Sequence, residues 1–79
     1  MKSFLISVLG DDQSGLVDGL SKIIVANNGD WIESNMSSFE GKFAGILKVN
    51  VPSSNAAKLK KELTSSSLGL QIACEETKP

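Results

Sequence analysis

The sequence contains no histidine, no arginine and no tyrosine, and Cys74 is its single cysteine. Each absence removes a class of function. One cysteine cannot close an internal disulfide, and with no histidine beside it no zinc, haem or iron–sulfur site can assemble, so no cofactor is expected. Acid–base chemistry would rest on carboxylates, lysine or water, which excludes histidine-based triads. Without a guanidinium fork, any anion must be held by backbone N–H groups, hydroxyls, amides or lysine. The formal net charge is −1, so the chain carries no strong basic footprint for a nucleic acid or an anionic membrane.

Long hydrophobic runs are also missing. The apolar stretch that opens the chain is too short to span a bilayer. Ser7 interrupts it, and Gly10-Asp11-Asp12 stands where a signal peptide would place a small-residue cleavage site. It reads instead as the first strand of a cytoplasmic protein. A length of 79 residues suits one domain, residues 1–79, with a polar tail over 75–79. So short a chain buries only roughly 60% of its unfolded surface, and its small core gains from a partner.

Periodicity orders the elements. Over residues 3–9, Phe4, Ile6 and Val8 alternate with Leu5, Ser7 and Leu9, which predicts a strand broken by Gly10-Asp11-Asp12. Asp12 is a candidate helix N-cap. Leu16, Leu20, Ile23 and Ile24 then recur at helical spacing, with Val17 beside them and Asp18, Ser21 and Lys22 facing away; Asn27-Asn28-Gly29 is the stop. Residues 31–40 read as a polar strand with Ile32 and Met36 on one face and Trp31, Glu33 and Asn35 on the other. A tight turn at Glu40-Gly41 leads to a strand over 43–51, ended by Pro52. Ser53, Ser54 or Asn55 can cap a second helix with a narrow stripe of Ala56, Leu59 and Leu63, and Ser65-Ser66-Ser67 ends it. Leu70, Ile72 and Cys74 alternate in a last strand. The order strand, helix, strand, strand, helix, strand predicts an α+β ferredoxin-like sandwich: a four-stranded antiparallel sheet with two helices on one face.

Two places invite chemistry. In the turn Asp11, Asp12, Gln13, Ser14, Gly15, Leu16, a helix N-terminus offers free N–H groups and the positive end of the macrodipole to a carboxylate. Asp11 or Asp12 is placed to meet an ammonium, and Gly15 allows close approach. The competing role is ordinary capping and bending. In the second place, Asp30, Trp31, Ile32, the lone tryptophan can shield a ligand or anchor an interface; the competing role is packing over a helix end. Lys58, Lys60 and Lys61 read as a solvated helix face, and Cys74 as a small core residue.

The run Gly10-Asp11-Asp12-Gln13-Ser14-Gly15-Leu16-Val17, with Leu20, Ile23 and the stretch Asn28-Gly29-Asp30-Trp31-Ile32-Glu33-Ser34-Asn35-Met36, resembles an ACT domain, in the branch found in the glycine cleavage system transcriptional repressor. Gly41-Lys42-Phe43-Ala44 and Val49-Asn50-Val51-Pro52 also fit that branch. The resemblance implies a non-catalytic regulatory domain that senses small molecules, commonly amino acids, and pairs with an identical copy or another ACT domain. It places the ligand between two copies, near the first strand–helix turn of one and the second strand of the other. The family's Asp-x-Pro-Gly turn falls on Asp12, Gln13, Ser14 and Gly15, and its Asn-Ile on Asp30 and Trp31. Ser14 in place of proline restores an N–H donor. Asp30 in place of an amide favours an ammonium over a carboxylate, and the bulk of Trp31 narrows the pocket.

Two alternatives share the topology. One is a protein–protein interaction domain without ligand. The other is an RNA-binding module, echoed faintly by Gly41-Lys42-Phe43-Ala44-Gly45-Ile46-Leu47, but Phe43 alone offers a stacking surface there and no arginine flanks it. Acylphosphatases need an arginine and metallochaperones a cysteine pair, both missing here.

Overall fold

The computed structural model describes residues 1–66 and 68–77. Ser67, in the serine run, and Lys78 and Pro79 of the expected tail lie outside the described residues. The elements are β1 (Lys2–Asp11), α1 (Leu16–Ala26), β2 (Asp30–Phe39), β3 (Lys42–Val51), a 3₁₀ turn (Ser53–Asn55), α2 (Ala56–Thr64) and β4 (Gln71–Thr77). The strands form one antiparallel sheet in the order β2-β3-β1-β4, as the alternation predicts. Phe4, Ile6 and Val8 of β1 and Phe43, Leu47, Val49 and Val51 of β3 line its inner face; Leu16, Leu20 and Ile24 of α1 and Ala56, Leu59 and Leu63 of α2 close over them. α1 packs against β2 and α2 against β4. Among the described residues no helix is long and apolar enough to cross a membrane.

Strand lengths differ from the sequence expectation because pairing partners extend them. β1 continues through Gly10 and Asp11, which pair with Phe43 and Lys42. Glu75, Glu76 and Thr77, expected in the polar tail, pair with Leu5, Phe4 and Ser3, so β4 runs on along the open edge of β1. At the hairpin, Glu40 (φ 54°) and Gly41 (φ 76°) both take left-handed backbone, the two-residue turn that matches the twist of the flanking strands.

β2 shows the sharpest difference. Its register shifts between Trp31, which pairs with Val49, and Glu33, which pairs with Lys48. Ile32 is the extra residue of a β-bulge, and one extra residue reverses the facing of everything beyond it. Trp31 and Met36 therefore both pack against the core, whereas Ile32 is exposed. The expected pairing of Ile32 with Met36 on one face is thus corrected.

Both helix starts also depart from expectation. Asp12 does not cap α1: its backbone N–H bonds to the Gly41 carbonyl at 3.0 Å, which holds it in the sheet layer. The turn into the helix falls on later residues, and Gly15 (φ 84°) precedes the first helical residue with no side-chain cap. Neither serine nor Asn55 caps α2 through its side chain; the Asn55 amide donates instead to the Asn27 carbonyl at 2.9 Å. Asn27, buried, donates to the Ile23 carbonyl at 2.9 Å and to Glu62 at 3.2 Å. This network pins the end of α1 to α2, while Asn28 (φ 59°) takes the left-handed stop.

Candidate functional site

Where β1 hands over to α1, the chain turns outward and leaves the first helical N–H groups without intrahelical partners. The first helical bond runs from the Gly19 N–H to the Gly15 carbonyl, at 2.9 Å. A Cβ on Gly15 would meet nothing within 4 Å, so glycine is needed there for its backbone conformation and not for space. Beside this tip lies an open recess of about 580 Å³ between Gly15, Leu16, Val17 and Ser21 on one side and Ser38 and Phe43 on the other, with Asp12 and Asp18 at its rim.

The structure separates the nine predicted site residues into two groups. Asp12, Gln13, Gly15 and Leu16 line the recess, and Ser14 lies exposed in the same turn. Their parts in it differ. The Leu16 side chain is core, so only its N–H is on offer. The Gln13 amide is occupied, donating to the Leu68 carbonyl at 2.9 Å. Asp11 accepts a hydrogen bond from Lys42 and forms an ion pair with it. That donor, and then the lysine's charge, hold the Asp11 carboxyl below its ordinary range. Asp30, Trp31 and Ile32 stand at the other end of β2, seven residues along the ladder and roughly 23 Å away. Trp31 is half-buried against the core, in the packing role, and Asp30 and Ile32 are exposed.

Ser38 and Phe43 complete the recess and were not evident from sequence; only the hairpin register brings them beside α1. Val17, expected with the inward stripe, is 50% exposed and Val25 65%. With Ser21 they form an outer stripe at four-residue spacing, and the recess shared with Ser38 shows that this stripe looks toward the β2 edge. Cys74 is half-buried on β4 and packs against the core; burial pushes its thiol up and Lys60 opposes this.

Because the Asp11 carboxyl is held low, its ion pair stabilises the fold above the unfolded chain's titration, and that contribution is lost as pH falls through the folded value. Lys42→Ala is expected to return the Asp11 titration, followed by carboxyl-carbon NMR, upward to the ordinary carboxylate range. An unchanged titration would show that the pair does not form in solution.

The ACT domain family profile matches residues 2–75. A UPF0237 protein of Methanocaldococcus jannaschii is 33% identical over 76 residues, which cover 91% of this chain and 84% of that protein. Among solved structures, an unknown protein from Galdieria sulphuraria superposes with a TM-score of 0.88 at 27% identity, over 99% of this chain and 46% of its own. A structure assigned to a glycine cleavage system transcriptional repressor gives a TM-score of 0.91 at 18% identity, over 99% and 47%. An ACT domain protein from Streptococcus pneumoniae gives 0.76 at 19% identity, over 95% and 89%. The chain spans about half the length of the first two solved structures. The likenesses at 18% and 19% identity bear on the fold alone.

Proposed function

The chain belongs to the ACT domain family, and on that premise we propose that it is a non-catalytic regulatory module that binds a small amino acid where two copies meet. The observation that carries this is the uncapped tip of α1 opening into the recess beside Ser38 and Phe43. A ligand carboxylate takes the free N–H groups of residues 16–18 and the positive end of the helix dipole. Asp12, outside the ion pairs of the described residues, receives the ammonium. Ser14 adds a hydroxyl, and Val17 and Phe43 leave room for a small apolar side chain.

A second copy completes the cradle through the β2 edge. An antiparallel β2–β2 alignment lays the start of one copy's β2, with Asp30 and Ile32 exposed and Trp31 packed behind them, at the hairpin end of the other, next to its recess. The outer stripe of α1 supports the same two-fold: Val17 and Val25 flank the smaller Ser21, so two antiparallel α1 helices can nest valine against valine around a central serine. Asp11, engaged by Lys42, and Gln13, tied to the Leu68 carbonyl, shape the turn without touching the ligand. Such a module works in the cytoplasm, and with no arginine and a net charge of −1 it would act on transcription or metabolism through another protein.

Isothermal titration with the twenty common amino acids is the test. At least one is expected to give saturable heat, and Gly15→Val, which forces a β-branched residue into left-handed backbone, is expected to weaken it at least tenfold. Silence from all twenty would remove the ligand and leave an interaction domain.

A further inference from the structure

The junction between α1 and β2 is the dipeptide Asn28-Gly29, and its packing accounts for both residues. Asn28 is exposed and takes left-handed backbone (φ 59°), which asparagine and glycine tolerate better than other residues. Gly29 is required for space. A Cβ there would lie 2.9 Å from Ile24 Cγ2, 3.1 Å from the Ile24 carbonyl oxygen and 3.4 Å from the Asn50 carbonyl oxygen. An asparagine followed by a residue without a side chain is also the pair in which the next backbone nitrogen reaches the side-chain amide carbon with least hindrance. We propose that Asn28-Gly29 is a self-modification site: Asn28 loses its amide to attack by the Gly29 nitrogen when the end of α1 opens, and the closed fold withholds that reaction.

The chemistry needs water and no other reagent. The Gly29 nitrogen gives up its proton to solvent, bonds to Asn28 Cγ and closes a five-membered succinimide. The Cγ–Nδ2 bond breaks, and that nitrogen takes up a proton and leaves as ammonia. Water then opens the ring at either carbonyl. One product is an ordinary aspartate, the other an isoaspartate whose backbone runs through Cγ.

Hydrogen bonds block ring closure in the closed fold. The Gly29 N–H donates to the Ile24 carbonyl at 2.9 Å, and the Asn28 N–H to the Val25 carbonyl at 3.0 Å. The first bond holds the attacking nitrogen's proton and also the peptide plane that must turn toward Cγ. Behind it, the Asn55 amide donates to the Asn27 carbonyl at 2.9 Å, and Asp30 pairs with Asn50 in the ladder. Reaction therefore waits on local opening, and its rate is the open fraction multiplied by the rate of an unfolded chain. The products then resist reclosure. A carboxylate at position 28 stands at the negative end of the α1 dipole, where the last turn holds no basic residue, and close to Asp30. The isoaspartate also inserts a methylene just before the Gly29 nitrogen, which draws its N–H off the Ile24 carbonyl.

Peptide mass mapping after prolonged incubation at neutral pH tests the proposal, with the folded protein beside the same chain unfolded in urea. In urea, Asn28 is expected to deamidate at least tenfold faster than Asn35, Asn50 or Asn55, which precede Met36, Val51 and Ala56. In the folded protein its rate is expected to fall at least tenfold. That suppression is expected to match, within about threefold, the hydrogen-exchange protection of the Gly29 amide, because both reactions need the same bond broken. Asn55→Ala, which frees the Asn27 carbonyl, is expected to raise the folded-state rate about fivefold. Asn28→Gly, which keeps the left-handed backbone, is expected to stay folded and to form no succinimide at the junction. Equal rates in the folded and unfolded chain would overturn the proposal. So would a suppression more than threefold away from the Gly29 protection, an Asn55→Ala variant that deamidates like wild type, or an Asn28 no more reactive in urea than the other asparagines.

Discussion

Leu20→Ala is expected to cost about 3 kcal/mol and to lower the melting temperature by roughly 15 °C, the largest loss among single truncations of α1. Leu20 is fully buried, midway along α1 and in the cluster that joins both helices to the sheet. Helix and sheet cannot both close on the missing methyl groups, because Gly19 beside it is already tight against the loop before β4: a Cβ there would come within 2.6 Å of Leu68 Cδ2. A cavity therefore remains, and its volume sets the cost. Val25→Ala, on the exposed stripe of the same helix, is expected to change stability by less than about 0.5 kcal/mol. Thermal denaturation of the two variants beside wild type checks the contrast; equal losses would mean that α1 is not anchored through Leu20.

Gly45→Val is expected to detach β2 from the sheet. A Cβ at Gly45 would overlap Met36 Sδ and lie 2.8 Å from the Asn35 carbonyl oxygen and 2.9 Å from Met36 Cα. The thioether can swing aside, but the backbone atoms are held by the β2–β3 ladder, in which Met36 pairs with Gly45. The clash therefore falls on the ladder itself, at about 3 kcal/mol or more. Hydrogen exchange is expected to show β2 amides losing protection before those of β1. Because β2 carries Asp30, Ile32 and Ser38, the same variant is expected to lose ligand heat that a surface substitution retains. Wild-type protection in β2 would show that the strands can separate locally to accept the side chain.

Several of these residues could be assigned from a few neighbours in sequence, and others could not. The inward positions Phe4, Ile6 and Val8, the stripe Leu16, Leu20 and Ile24, and the turn at Glu40-Gly41 are all local patterns: a repeat of two, a repeat near four, and two residues tolerant of left-handed backbone. The candidate turn at residues 12–16 was likewise visible, because an Asp-x-x-Gly run before an apolar helix marks a strand–helix junction wherever it folds. Trp31 was visible as a candidate but not in its role, since the bulge at Ile32 that turns it inward depends on how β2 meets β3. Asp11 looked free in the sequence because Lys42, which holds it, lies 31 residues away.

By itself the sequence determined the kind and order of the elements, the family, and the chemistry excluded by having no histidine or arginine and a single cysteine. Tertiary structure decided the strand ends, the bulge, the glycine that opens α1 and the joining of that tip to Ser38 and Phe43. The division has one physical cause. Side-chain periodicity is set by backbone geometry within a few residues, whereas ladder register is set by satisfying hydrogen bonds between segments that only the fold brings together.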